Sequence, residues 1–287
     1  MKWSDFSKLI KLRLTFLVVF SASISFLIGS KVNGHINWFN WLILIAGGFL
    51  VTAAANCFNE IIEKDLDRLM KRTADRPIPA GRMTTGQGLV LGLSMGVAGT
   101  YLLGSLNIVT GLLSVFSILL YAFAYTPLKR LSPVAVFVGA IPGALPPLIG
   151  YVAAHEKIDA IALILFGIQF IWQFPHFWAI AWVLDDDYKL AGFRLLPSGK
   201  RNLTSAVVTA GFTLMLVPVS LLPTFYGYGG YYVGAVSLIF SLIFLYLAAV
   251  LLRTLKIESA KRLMYGSFIY LPVVQLMFLF DFIGKGK

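Results

Sequence analysis

Asn56-Cys57-Phe58-Asn59-Glu60-Ile61-Ile62-Glu63-Lys64-Asp65-Leu66-Asp67 continues an apolar run, 38–59, that is long enough to cross a bilayer. Carboxylates at the end of a membrane helix are costly to place. Here Asn56, Asn59, Glu63 and Asp67 recur every three or four residues, so they share one helical face. A column of oxygen ligands suits a hard divalent cation, and Mg²⁺ in turn suits a phosphorylated substrate. The basic run Lys71-Arg72-Thr73-Ala74-Asp75-Arg76-Pro77 comes immediately after. Acid ligands and fixed cations together at a membrane surface point to chemistry on a diphosphate. The competing reading is a solvated, charged helix end. Against it, Asn59 and Glu63 lie within one or two turns of the apolar run, where solvation is poor.

Outward from this stretch the chain is apolar almost throughout. Its 287 residues are 58% hydrophobic and only 13% charged, about half the usual globular share, and mean hydropathy is +0.82. Runs near the length of a membrane span occur at 12–30, 38–59, 86–104, 107–125, 134–154, 159–182, 203–222, 231–252 and 264–283. No strand-like alternation persists, which excludes a membrane barrel. The expectation is an all-α integral membrane protein, nine transmembrane helices around a central cavity, forming one domain over 1–287. The first run is too long for a signal-peptide core and lacks a small-residue cleavage site, so it reads as a retained helix.

A formal charge of +11 alone is compatible with nucleic-acid binding, but its distribution argues otherwise. Twenty of the 24 Lys and Arg fall on the N-terminal tail and the second, fourth, sixth and eighth loops; Lys31, Lys157, Lys285 and Lys287 are the exceptions. That asymmetry puts the N-terminus in the cytoplasm and the C-terminus outside. Ten of the 13 acids lie on the same side, so the chemistry is expected at the cytoplasmic face. The lone Cys57 permits no internal disulfide and matches no metal spacing.

A second acid cluster, Asp185-Asp186-Asp187, follows the sixth run. Three adjacent carboxylates repel unless a cation offsets them. Facing the first cluster, they would complete a site for two or more Mg²⁺ ions that bridge diphosphate oxygens. Arg72, Arg76, Lys129 and Arg130 add positive charge suited to phosphate, or merely anchor the loops at the membrane. Gly139, Pro142, Gly143, Pro146, Pro147 and Gly150 crowd the fifth run, either as a packing kink or as a bend that opens a cavity. Trp172-Gln173-Phe174-Pro175-His176-Phe177-Trp178 ends the sixth run and holds the one histidine expected inside a membrane helix. It reads as a hydrogen-bonded core histidine, a haem-iron ligand, or part of an aromatic wall that shields a carbocation.

Asn59-Glu60-Ile61-Ile62-Glu63-Lys64-Asp65-Leu66-Asp67 resembles the Asn-Asp-x-x-Asp-x-x-x-Asp motif of the UbiA superfamily of intramembrane prenyltransferases, with two aspartates replaced by glutamates. Tyr125 and Lys129 match its Tyr-x-x-x-Lys element, whose lysine is expected on the diphosphate. The second superfamily motif, Asp-x-x-x-Asp, is not intact: counting back from Asp187, the earlier position is Val183. Further elements resemble the haem-farnesylating branch of the superfamily. They are Met70-x-Arg72-Thr73-x-x-Arg76-Pro77, Tyr125-Thr126-x-x-Lys129-Arg130, Trp172-Gln173-x-Pro175-His176-Phe177 and Asp187-Tyr188-x-x-Ala191-Gly192. The resemblance implies farnesyl transfer from farnesyl diphosphate to a vinyl group of haem B. It implies Mg²⁺ on Asn59, Glu63, Asp67, Asp185 and Asp187. Asp67, Lys129, Arg72 and Tyr125 would act in catalysis. Arg76, Arg130, His176, Trp172 and Tyr188 would bind the substrates, and a haem A synthase would follow downstream. The alternatives are a polyprenyltransferase acting on an aromatic acid, or a haem-binding membrane protein or transporter without catalysis.

Overall fold

The computed structural model describes residues 2–284; Lys285 and Lys287 of the charge count lie outside them. Nine helices among the described residues are long and apolar enough to cross a membrane: Leu12–Asn33, Trp38–Asp67, Thr85–Leu106, Ile108–Leu128, Ala135–His155, Ala160–Val183, Leu203–Phe225, Tyr231–Thr254 and Ile257–Phe280. Beyond one isolated bridge between Gly229 and Phe282, no β structure occurs among the described residues. Polar side chains set where the helices start. Asn37, Thr84, Asn107, Asp159 and Asn202 each accept a backbone N–H at the start of their span, and Thr84 forms a capping box with Gln87.

Two spans differ from their apolar runs. The second continues without a break through the acidic stretch to Asp67, so Asn56, Asn59, Glu63 and Asp67 do form one buried stripe. The ninth begins at Ile257 rather than near 264. Lys261 and Arg262 therefore sit on its first turns rather than in a loop, pointing outward while Ala260 and Leu263 are buried. Apolarity stops where solvent begins, whereas helical hydrogen bonding does not.

Spans one to five pack as one half and six to nine as the other. The halves join where the fifth span meets the sixth and the first meets the ninth. Between the first and fifth spans the approach is backbone to backbone: a Cβ on Gly150 would lie 1.9 Å from the Ala22 carbonyl oxygen. Small residues permit such contact where lipid supplies no hydrophobic drive between helices. The fifth span is the most enclosed and remains one α-helix despite Pro142, Pro146 and Pro147. Mid-bundle, Ser21 Oγ donates to Gln169 Oε1 at 2.8 Å, and Gln275 Nε2 reaches both, at 2.8 and 3.0 Å. This closed triad ties the first, sixth and ninth spans.

The fourth span changes pitch. Leu120–Tyr125 is a π-helix, inserted between an α-helical segment and a last α-turn at Thr126–Leu128. Such insertions re-aim side chains, and this one presents Tyr121 and Tyr125 to the cavities at the basic end of the bundle.

Candidate active site

The acidic stripe of the second span is almost sealed from solvent. Asn59, Glu63 and Asp67 are each 3% exposed or less. Asn59 Nδ2 donates to Glu63 Oε2 at 2.9 Å and to Thr126 Oγ1 at 3.1 Å. Lys129 Nζ stands 2.7 Å from Glu63 Oε1, and Arg76 Nη1 donates to Asp67 Oδ2 at 2.5 Å. Glu60 turns to the neighbouring face, where its Oε1 accepts the Ile78 N–H at 3.0 Å and so anchors the following loop. Cys57 is buried.

Asn59, Glu63, Asp67, Arg76 and Lys129 line a polar cavity of about 300 Å³, together with Lys11, Arg72, Tyr125 and Tyr188. Lys129 lies over the Tyr125 ring at 4.8 Å, and Arg72 over the Tyr188 ring at 5.7 Å. Lys11 had no sequence signal beyond its charge. Its Nζ donates to Asn59 Oδ1 at 2.7 Å. Burial, with Arg76 and Lys129 close by, holds its ammonium well below the ordinary lysine range.

A second, largely apolar cavity of about 390 Å³ meets the first. Leu14, Tyr121, Tyr125, His176, Phe177 and Phe268 line both. On the second span it runs from Asn56 to Leu44, about 18 Å at 1.5 Å per residue. His176 stands at the junction. Trp172 stacks on its ring at 4.4 Å and 18°, and Phe268 meets it edge-on at 5.3 Å. Ser267 Oγ donates its proton to the Met264 carbonyl at 2.5 Å, so it accepts from His176 Nδ1–H at 2.7 Å. Nε2 is thereby left with its lone pair. The indole N–H of Trp172 donates to the Ser267 carbonyl at 3.0 Å.

The second acid cluster lies elsewhere. Asp185 pairs with Lys189 at 2.6 Å, and Asp186 with Arg201 at 2.9 Å. Asp187 accepts the backbone N–H of Lys71 at 2.8 Å and of Arg72 at 3.4 Å. None of the three lines either cavity. Their mutual repulsion is offset by cations and amides of the chain itself. Asp187 instead joins two loops over the polar cavity, where Met70, Ala191 and Phe193 form a small separate core. Arg130 is exposed and lines neither cavity.

Among the described residues no three His, Cys, Asp or Glu side chains converge on one point. The stripe offers two carboxylates and an amide oxygen, and Asp67 Oδ1 is buried with no partner. A few hard oxygens of this kind suit Mg²⁺, which keeps several waters and completes its octahedron from substrate phosphates.

The profile of the UbiA prenyltransferase family matches residues 18–272. A protoheme IX farnesyltransferase of Cytophaga hutchinsonii is 42% identical over 282 residues, covering 98% of each chain. One from Christiangramia forsetii is 40% identical and covers 97% of this chain and 93% of its own. Among solved structures, a digeranylgeranylglyceryl phosphate synthase superposes with a TM-score of 0.81 at 21% identity, covering 97% of both chains. A UbiA homolog from Archaeoglobus fulgidus bound to GPP and Mg²⁺ superposes at 0.63 and 11% identity, covering 96% of this chain and 99% of its own.

Proposed function

The chain belongs to the UbiA prenyltransferase family, and we propose that it transfers the farnesyl group of farnesyl diphosphate to a vinyl group of haem B, giving haem O. The observation that carries this reading is the junction of the two cavities. An acid-and-cation site for a diphosphate opens into an aromatic-walled apolar chamber at His176, Tyr121 and Tyr125. The names of the relatives supply the acceptor.

In this reading Asn59, Glu63 and Asp67 hold Mg²⁺, which when bound neutralises the diphosphate as it leaves. Lys129, Arg76 and Arg72 grip the phosphate oxygens; Arg76 is already oriented by Asp67, and Lys129 by Glu63. The farnesyl C–O bond breaks at the junction, and the electron pair leaves with the diphosphate. The aromatic faces of Tyr121, Tyr125 and Phe268 stabilise the allylic cation and exclude water from it. The terminal vinyl carbon bonds to farnesyl C1. The cation left beside the pyrrole ring takes hydroxide from water, and a proton is released. The free Nε2 of His176 orients haem through its iron, with Trp172 fixing the imidazole plane. Asp185, Asp186 and Asp187 serve the cap rather than the metal, and Tyr188 holds Arg72. The site faces the cytoplasm of a bacterial cell membrane, and the product passes to a haem A synthase.

The test offers membranes containing the protein farnesyl diphosphate and Mg²⁺ with either haem B or an aromatic acid. Farnesylation of haem alone is expected; farnesylation of the acid alone would replace the reading.

A further inference from the structure

Lys11 occupies the break between the N-terminal helix Trp3–Leu9 and the first span, with φ 47° and ψ 56°. A residue with a Cβ rarely adopts this left-handed conformation. Three buried groups enforce it. The Ile10 carbonyl accepts from Thr15 Oγ1 at 2.7 Å and from Asn56 Nδ2 at 3.1 Å. Asn56 Nδ2 also reaches Thr15 Oγ1 at 3.3 Å. Ile10, Thr15 and Asn56 are each at most 2% exposed. The clamp turns the Lys11 side chain into the polar cavity, where its ammonium meets Asn59. A glycine would satisfy the backbone with less strain, so the lysine is there for its side chain.

The charges around it are unbalanced. Arg76 and Lys129 are each paired with a carboxylate of the stripe. Lys11 forms no ion pair among the described residues and rests on a neutral amide oxygen. A diphosphate would supply the missing anion. We propose that Lys11 binds a diphosphate oxygen of the prenyl donor, and that Asn56 is a positioning residue acting on it through the Ile10 carbonyl. The proposal rests on the reading that a prenyl diphosphate enters this cavity. It gives Asn56 a part distinct from the metal-binding face on which its spacing places it.

The test uses the full-length protein in lipid nanodiscs. Binding of inorganic pyrophosphate with Mg²⁺ is followed by calorimetry, and haem O formation is measured alongside. Lys11→Met should weaken pyrophosphate binding, and raise KM for farnesyl diphosphate, by about 10- to 100-fold, as for one charge-assisted hydrogen bond. KM for haem B should stay within about twofold. Lys11→Gly, which relaxes the backbone, should lose the same affinity, and Lys11→Arg should recover most of it. Asn56→Ala should weaken pyrophosphate binding several-fold in the parent protein and no further alongside Lys11→Met. Unchanged pyrophosphate affinity in both the Met and Gly variants would overturn the role of Lys11. Full additivity of the Asn56 and Lys11 changes would overturn the role of Asn56. If Lys11 variants lose pyrophosphate while the parent makes no haem O, the acceptor is misassigned and the Lys11 assignment stands.

Discussion

Asp67→Asn isolates the charge of one carboxylate while keeping its shape. The Asp67 side chain is 1% exposed; Oδ2 holds Arg76 at 2.5 Å, and Oδ1 has no protein partner. Two separate losses follow. The bond to Arg76 loses its ionised acceptor while the guanidinium stays charged, so an ion pair worth about 1.5–3 kcal/mol gives way to a weaker bond from a cation to an amide oxygen. About 1–2 kcal/mol of stability should therefore go, which lowers Tm by a few degrees and leaves the protein inserted. The larger effect is on the reaction. An oxygen that carries full charge toward the cation becomes a weak amide donor, and removing a preorganised electrostatic group of this kind costs about 10²–10³ in kcat. The Mg²⁺ concentration for half-maximal rate should rise as well. The assay is haem O production by mass spectrometry across a Mg²⁺ series, with thermal unfolding measured in the same preparation. A folded variant that keeps a rate within about threefold of the parent, at the same Mg²⁺ midpoint, would refute the assignment of Asp67 to the metal.

His176→Ala should raise KM for haem B about tenfold or more, since it removes the nitrogen offered to the iron, and leave KM for farnesyl diphosphate within about twofold; unchanged haem dependence would remove His176 from the site. Two glycines of the fifth span separate folding from function. A Cβ on Gly150 meets the Ala22 backbone at 1.9 Å and cannot be relieved, so Gly150→Ala should lower the yield of inserted protein. A Cβ on Gly143 meets the Gln173 side chain at 2.0 Å, which can swing into the apolar cavity. Gly143→Ala should therefore fold, lose about 1–3 kcal/mol of stability and turn over slowly; equal yields and rates for both would contradict the packing. The N-terminal helix is tied to the second loop by Lys8–Asp75 and by Arg82, which reaches Asp5 at 2.8 Å and Asp75 at 2.9 Å. Hydrogen bonds from Lys8 and Arg82 hold the Asp75 carboxyl below its ordinary range. Its contribution to docking is full above the unfolded value of about 3.9 and is lost as pH falls through the lower folded-state value. Amide exchange of residues 3–9 should stay protected at pH 5 and quicken only under strongly acidic conditions. Release already at pH 5 would contradict the tie.

The nine spans and the acidic stripe were legible because each rests on a local regularity: a 20-residue apolar length, or a three-to-four-residue spacing. The polar cavity's Arg72, Arg76, Tyr125, Lys129 and Tyr188 were legible as well, but through motif resemblance rather than periodicity. The partners of Asp185 to Asp187 were not legible, for a physical reason. Adjacent carboxylates demand compensation, but sequence does not say from where; Lys189, Arg201 and two backbone amides provide it. Lys11 was hidden for the opposite reason. Among many basic residues at one membrane face it differs only in a backbone angle, and that angle depends on Asn56, 45 positions away in the chain. Tyr121 is similarly marked only by the π-helical turn that brings it round. The hydrogen bond that fixes the His176 tautomer is accepted by Ser267, three spans later, where no motif pointed.

The most direct measurement is the mass of the product made by the purified protein in nanodiscs from haem B, farnesyl diphosphate and Mg²⁺ in ¹⁸O-labelled water. Farnesyl transfer with water addition predicts haem B plus one farnesyl and one hydroxyl group, with the label in that hydroxyl. It also predicts one equivalent of pyrophosphate, and no product once EDTA is added. Unmodified haem B, or product formed as readily in EDTA as in Mg²⁺, would contradict it.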